Sequence, residues 1–142
     1  MSIQIVMMLP PKAGSVSLAR HTMAEALSIP GVAPECIHEA EVAMSEACSN
    51  VLRRVRRDQN FEVLINVGAA ELTVHILDSV AGFPAERLLA KWPDIHVERD
   101  HGLALMTEFA DQASFDSEGE RGSVRFKKRL RRGSDAALPP SG

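Results

Sequence analysis

Tyrosine is absent from this chain, tryptophan occurs once and cysteine twice, and its 142 residues contain no long apolar run. Each scarcity excludes something. The only aromatic residues are five Phe and Trp92, none of them inside a basic run, so the stacking platform of a single-strand nucleic-acid binder is missing. No stretch approaches the roughly 20 apolar residues that cross a bilayer. The opening Met1 to Leu9 is too short, and lacks the basic start, for a secretory signal. The expectation is a cytoplasmic protein without membrane contact. Cys36 and Cys48 fall in one predicted helix, about 18 Å apart along its axis at 1.5 Å per residue, too far to form a disulfide. Neither has a Cys-x-x-Cys partner, which argues against structural zinc.

What is present suits one domain. The length favours a single core, and the 45% apolar content is enough to fill it. The formal charge of -3 hides an uneven distribution, because Arg53, Arg54, Arg56 and Arg57 form one basic run and Lys127, Lys128, Arg129, Arg131 and Arg132 another. Most of the surface is therefore expected to be acidic, with one or two basic patches that are either solvated or turned toward an acidic partner.

Ile3 to Leu9 is an apolar run stopped by Pro10-Pro11 and reads as a first strand. Ser15 is placed to cap a helix to about Leu27; Pro30-Gly31 ends it, and Pro34 opens a second helix running to about Arg57. Ile37, Ala40, Met44, Ala47, Val51 and Val55 give that second helix one apolar face. Phe61, Val63, Ile65 and Val67 alternate in the next strand, and Leu72, Val74 and Ile76 in the one after, with Gly68 to Glu71 as their hairpin turn. From Gly82 to His101 the periodicity is lost, and a functional loop is the reading. A third helix is predicted from Gly102 with Leu103, Met106 and Ala110 on its apolar side, then strands at Ala113 to Asp116 and Ser123 to Leu130 around a Glu118-Gly119-Glu120 turn. The fold class is α+β: a two-layer sandwich whose mixed, largely antiparallel sheet is covered on one face by helices. Residues 1–130 form the domain and 131–142 a disordered tail.

Two sets of residues carry chemistry. Glu46 and Asn50 are one helical turn apart, about 40° around the axis, and so point the same way on the flank of the apolar stripe. A carboxylate and an amide oxygen there suit Mg²⁺ and its waters, or removal of a proton from a hydroxyl. An ordinary solvated flank fits the spacing as well, since Glu39, Arg53 and Arg57 share that side. Asp78 shares the parity of Leu72, Val74 and Ile76, so a regular strand turns its carboxylate inward, where it needs donors. Either an adenine amino group or the backbone amides of Val80 to Gly82 in an Asx-type turn answers that need.

Met44-Ser45-Glu46-Ala47-Cys48-Ser49-Asn50 resembles the "SEAxxN" box of the GHKL ATPase and kinase superfamily, and most resembles its small anti-sigma-factor serine kinases from bacterial partner-switching systems. Asp78-Ser79-Val80-Ala81-Gly82-Phe83 is similar to that family's Asp-x-Gly-x-Gly-Phe box, and Asp100-His101-Gly102-Leu103 to its Gly-x-Gly-Leu helix start. Gly122-Ser123-Val124-Arg125-Phe126 resembles its closing "GTxVxF" strand. The likeness covers about residues 3 to 130, in the family's order. It implies a Bergerat-type fold in which Asn50 holds Mg²⁺, Asp78 receives the adenine amino group of ATP, and Glu46 is the general base toward a serine hydroxyl. The loop from Phe83 to Arg99 becomes a lid, and Gly82, Gly102 and Leu103 lie at the nucleotide, a helix N-terminus being suited to phosphates. It further implies two protein partners, a sigma factor and a small anti-sigma-factor antagonist that carries the acceptor serine. These meet the first helix near Ser17 and Arg20, and a homodimer is implied too.

Two positions depart from the pattern. Val80 replaces a glycine where backbone passes close to nucleotide, and Asp100 replaces another at the phosphate loop, where its charge would face ATP. These substitutions also fit a non-catalytic partner-switch module of the same fold. The run His96-x-Glu98-x-Asp100-His101 is alternatively a divalent-metal cluster. A detached histidine-kinase ATPase domain is a third reading, disfavoured because the fold is expected to begin almost at Met1.

Overall fold

A computed structural model describes residues 2–53, 55, 59–78, 109–118 and 121–132. In chain order the elements are β1 (Ile3–Leu9), α1 (Ala13–Ser28), α2 (Pro34–Leu52), β2 (Phe61–Val67), β3 (Glu71–Asp78), β4 (Gln112–Glu118) and β5 (Arg121–Arg129). The strands form one sheet in the order β1-β2-β3-β5-β4, and all four pairings are antiparallel. The two helices pack side by side on one face of it, α1 over β1 and β2, α2 over β3 and β5. This is the α+β sandwich with a largely antiparallel sheet that the alternating strands predict.

The core forms where the two apolar patterns meet. Phe61, Val63, Ile65 and Val67 on β2, Leu72, Val74 and Ile76 on β3, and Val124 and Phe126 on β5 are buried against Ala19, Met23 and Leu27 of α1 and Ala40, Met44, Ala47 and Val51 of α2. The period-two strand pattern and the 3.6-residue helix pattern thus bury one common layer. The hairpin falls where expected, with the Gly68 amide donating to the Glu71 carbonyl at 2.9 Å. Gly31 alone among the described residues takes a positive φ, 78°, in the turn between α1 and α2, a conformation glycine enters without steric cost.

Two local expectations are corrected. Ser15 does not cap α1: the helix starts at Ala13 with Lys12 as N-cap and no side-chain cap bond, leaving Ser15 buried inside the first turn. α2 opens on Pro34 as predicted but ends at Leu52 rather than Arg57, with Arg53 at its C-cap. The sheet face away from the helices also holds buried residues, Glu62, Leu64, His75, Leu77, Ser123 and Arg125. Contacts with the turn after α1 continue at Arg131 and Arg132. Arg132 bridges to Val32, its guanidinium donates to the Pro30 and Ala69 carbonyls, and the Ala33 amide donates to the Arg131 carbonyl at 2.7 Å. The predicted third helix, the Phe83 to Arg99 lid and the Glu118-Gly119-Glu120 turn fall wholly or mostly outside the described residues, as does the tail after Arg132.

Candidate functional site

The position of α2 along the sheet determines what its C-terminal end meets. Near its start, the Cys36 thiol reaches the Arg129 carbonyl at 3.6 Å and Glu39 receives Lys128 Nζ at 3.0 Å, so the N-terminal half lies over the end of β5. Eleven residues of helix from Glu39 to Asn50 rise about 16 Å, and five strand residues back from Lys128 cover about the same length. Asn50 therefore comes level with Ser123, which pairs with Leu77, the neighbour of Asp78. Asp78 itself closes β3 opposite Phe61. The fold thus brings the two ends that carry Asn50 and Asp78 to one end of the sandwich.

Asn50 is 3% exposed, and its Oδ1 is buried with no hydrogen-bond partner among the described residues. Such an orphan is costly, about 1–3 kcal/mol for a buried unsatisfied acceptor, and buried polar groups are normally paired. A hard amide oxygen held in this condition suits a cation such as Mg²⁺. Glu46, one turn earlier on the same flank, is half-buried, so its carboxylate sits at the rim of the site while Asn50 lies within it. The solvated-flank alternative therefore fails for Asn50. Gly82, Gly102 and Leu103, the departures Val80 and Asp100, and the His96 to His101 metal alternative all lie outside the described residues, and so does the side chain of Asp78. Among the described residues no cluster of three or more His, Cys, Asp or Glu could hold a metal ion.

On α1, Ser17 and Arg20 are half-buried rather than projecting. Arg20 Nη1 donates to the Ser45 hydroxyl at 3.3 Å, and Nε lies 3.8 Å from Glu41. Arg20 thus ties α1 to α2. Glu41 lies about 180° around the α2 axis from Asn50, and Ser45 about 140° from it.

The C-terminal basic run is split: Lys128 is buried, while Arg129 and Arg131 remain exposed. Lys128 is buried and donates to the Phe109 carbonyl at 2.6 Å as well as pairing with Glu39; Arg131 Nη2 meets the same Glu39 oxygen at 2.7 Å. Hydrogen bonds from Lys128 and then Arg131 hold the Glu39 carboxyl below its ordinary range, and the bond to Glu39 raises Arg131 in turn. No spacing signal links Glu39 to residues about ninety positions away; only the antiparallel return of β5 beneath α2 does. Burial pushes the Cys48 thiol up to about 12, so it is an inert core group beside Met44. No described helix is long and apolar enough to cross a membrane.

The sequence profile of the histidine kinase-like ATPase domain matches residues 9–128. The chain is similar to the serine-protein kinase RsbW of Bacillus cereus (strain AH187), with 25% identity over 145 residues that cover 82% of this chain and 91% of that protein. It is similar to the serine-protein kinase RsbW of Bacillus anthracis at the same identity and coverage. Among solved structures its fold matches the crystal structure of the RsbU and RsbW domains of Rv1364c from Mycobacterium tuberculosis, with a TM-score of 0.64 at 15% identity over 92% of this chain. The chain spans 33% of the length of that protein.

Proposed function

The chain belongs to the histidine kinase-like ATPase domain family, and on that premise we propose that it is an anti-sigma factor and ATP-dependent serine kinase. It would bind a sigma factor and phosphorylate a small anti-sigma-factor antagonist in the cytoplasm. The similarity to serine-protein kinases along most of the chain supports this reading. The single observation that carries it is the buried Oδ1 of Asn50, without a partner among the described residues, one turn from the half-buried Glu46.

Bound Mg-ATP supplies the transferable phosphoryl group. Asn50 would offer an oxygen to Mg²⁺, Asp78 would accept from the adenine amino group, and Gly82, Gly102 and Leu103 would serve the phosphates, as the family pattern implies. Glu46 accepts the proton from the hydroxyl of the acceptor serine, a general-base role that needs a carboxylate with access to the rim. On α1, Ser17 and Arg20 belong to the partner surface; Arg20 can serve a partner only by exchanging its contacts with Ser45 and Glu41.

The test separates binding from chemistry. Glu46→Gln should bind Mg-ATP as wild type does and lose phosphotransfer to a cognate antagonist. A variant that still transfers phosphate at the wild-type rate would remove Glu46 from the mechanism. A second reading, the non-catalytic partner-switch module, is favoured by Val80 and Asp100 in place of the two glycines. It predicts partner capture without nucleotide binding.

A further inference from the structure

β5 breaks its own pattern at one position. Val124 and Phe126 are buried against the helices, and Lys128, next in the same alternation and paired with the core residue Leu72, is buried there too, 4% exposed. A buried ammonium adds little to stability, because desolvation cancels most of what its partner returns, and an apolar side chain of similar volume is often as good or better. A residue that breaks the pattern of its element is where function is to be sought. Lys128 Nζ reaches two segments far apart in the chain, donating to the Phe109 carbonyl at 2.6 Å and pairing with Glu39 of α2 at 3.0 Å. Phe109 is helical and Ala110 is not, so a helix ends at this contact. A cation there satisfies a terminal carbonyl and complements the helix dipole. Two further bonds hold the joint that follows: the Asp111 amide donates to the Lys127 carbonyl at 2.9 Å, and Asp111 Oδ2 accepts from the Arg129 amide. The chain from Phe109 to Asp111 is thereby fixed to β5, and through Lys128 to α2.

We infer that Lys128 is a positioning residue for nucleotide binding, setting the chain at Phe109 against the start of α2; this rests on the reading above in which Gly102 and Leu103 serve the phosphates and Asn50 the metal. The sequence predicts the helix that ends at Phe109 to begin at Gly102, residues 102–108 lying outside the described ones. On the other side of the ammonium, Glu39 and Asn50 belong to the same helix, so whatever fixes Glu39 fixes the line along which Asn50 is presented. Lys128 touches neither metal nor phosphate. It acts through two helix ends, holding the part of the chain that leads from the phosphate residues in register with the helix that carries Glu46 and Asn50. Arg131 shares the Glu39 oxygen but is exposed, and its printed partner is Glu39 alone, so it supplies charge without joining the two segments.

Calorimetric titration of the full chain with Mg-ATP, together with steady-state phosphotransfer to a cognate antagonist, tests this. Lys128→Met keeps the length of the side chain and removes the ammonium. It should raise both the dissociation constant and KM for Mg-ATP by about tenfold, since a small misplacement is amplified where several groups must meet one ligand. At saturating nucleotide kcat should stay within about twofold of wild type, the signature of lost binding rather than lost chemistry. Arg131→Ala removes the other partner of Glu39 without touching Phe109 and should leave the affinity within about twofold, as an exposed ion pair does. Circular dichroism checks that each variant is folded. Should Lys128→Met fail to fold, Asp111→Ala at the exposed side of the same joint carries the test, with an expected loss of about threefold or more for one hydrogen bond. A folded Lys128→Met, or Asp111→Ala in its stead, that binds Mg-ATP as wild type does would overturn the inference and leave the kinase reading standing; so would an Arg131→Ala that loses as much affinity. A wild type that binds no nucleotide at millimolar concentration would remove the kinase reading and the positioning role together.

Discussion

Asn50→Ala should make the protein more stable without nucleotide and less stable with it. The side chain holds a buried acceptor with no partner among the described residues, and removing such an acceptor relieves about 1–3 kcal/mol. Alanine adds roughly 0.5 kcal/mol of helix propensity over asparagine. Lost packing of the amide takes back about 1 kcal/mol, an ordinary cost for a single truncation. The balance is a gain of about 1 kcal/mol, which raises the melting temperature by about 3 °C in a domain of this size. Nucleotide reverses the order. At a hundred times its dissociation constant Mg-ATP stabilises wild type by about 2.7 kcal/mol, or about 8 °C, and should do nothing for a variant that has lost the metal-binding oxygen. Differential scanning calorimetry of both proteins, with and without Mg-ATP, reads all four states. An Asn50→Ala protein that melts below wild type in the absence of nucleotide, or that keeps the Mg-ATP shift, would refute the reasoning.

Three further outcomes follow from the same geometry. The lowered Glu39 carboxyl contributes stability that is full above the unfolded value of 4.5 and is lost as pH falls through its depressed folded value, because the unfolded chain binds the proton first. Urea titrations at several pH values should therefore find Glu39→Gln less stable than wild type above pH 4.5, with the difference shrinking in more acidic solution. Arg20→Ala should cost under about 1 kcal/mol, as half-exposed ion pairs do, whereas Arg20→Glu sets a carboxylate against Glu41 and costs more; denaturant melts rank the two, and pull-down of partners should therefore use the alanine variant. The double substitution Val80→Gly, Asp100→Gly should bind Mg-ATP more tightly than wild type, most visibly at low salt, because it removes a like charge near the phosphates and frees the backbone at position 80. Equal affinities in a titration would show the two departures to be harmless.

The elements legible in the sequence are those that bury one face. The alternation in β2 and β3 and the stripe on α2 marked the shared core layer. Leu64 and Leu77 fall out of phase with that alternation. They were the available signal that the second sheet face is also buried, and a strictly two-layer reading passed over them. Arg20, Glu39, Lys128 and Arg131 were illegible for a different reason. A charged side chain has no periodicity of its own, and whether it is solvated or paired depends on which element returns beside it. The buried state of Asn50 was half legible: its spacing placed it on the flank of the stripe, and only the packing of α2 on β3 and β5 turned that flank inward.

The most direct measurement is calorimetric titration of the wild-type protein with ATP in the presence and absence of Mg²⁺. The account predicts saturable one-site binding that depends on Mg²⁺ and disappears in Asn50→Ala. Absence of heat at millimolar nucleotide, or binding that is indifferent to both Mg²⁺ and Asn50, would contradict it.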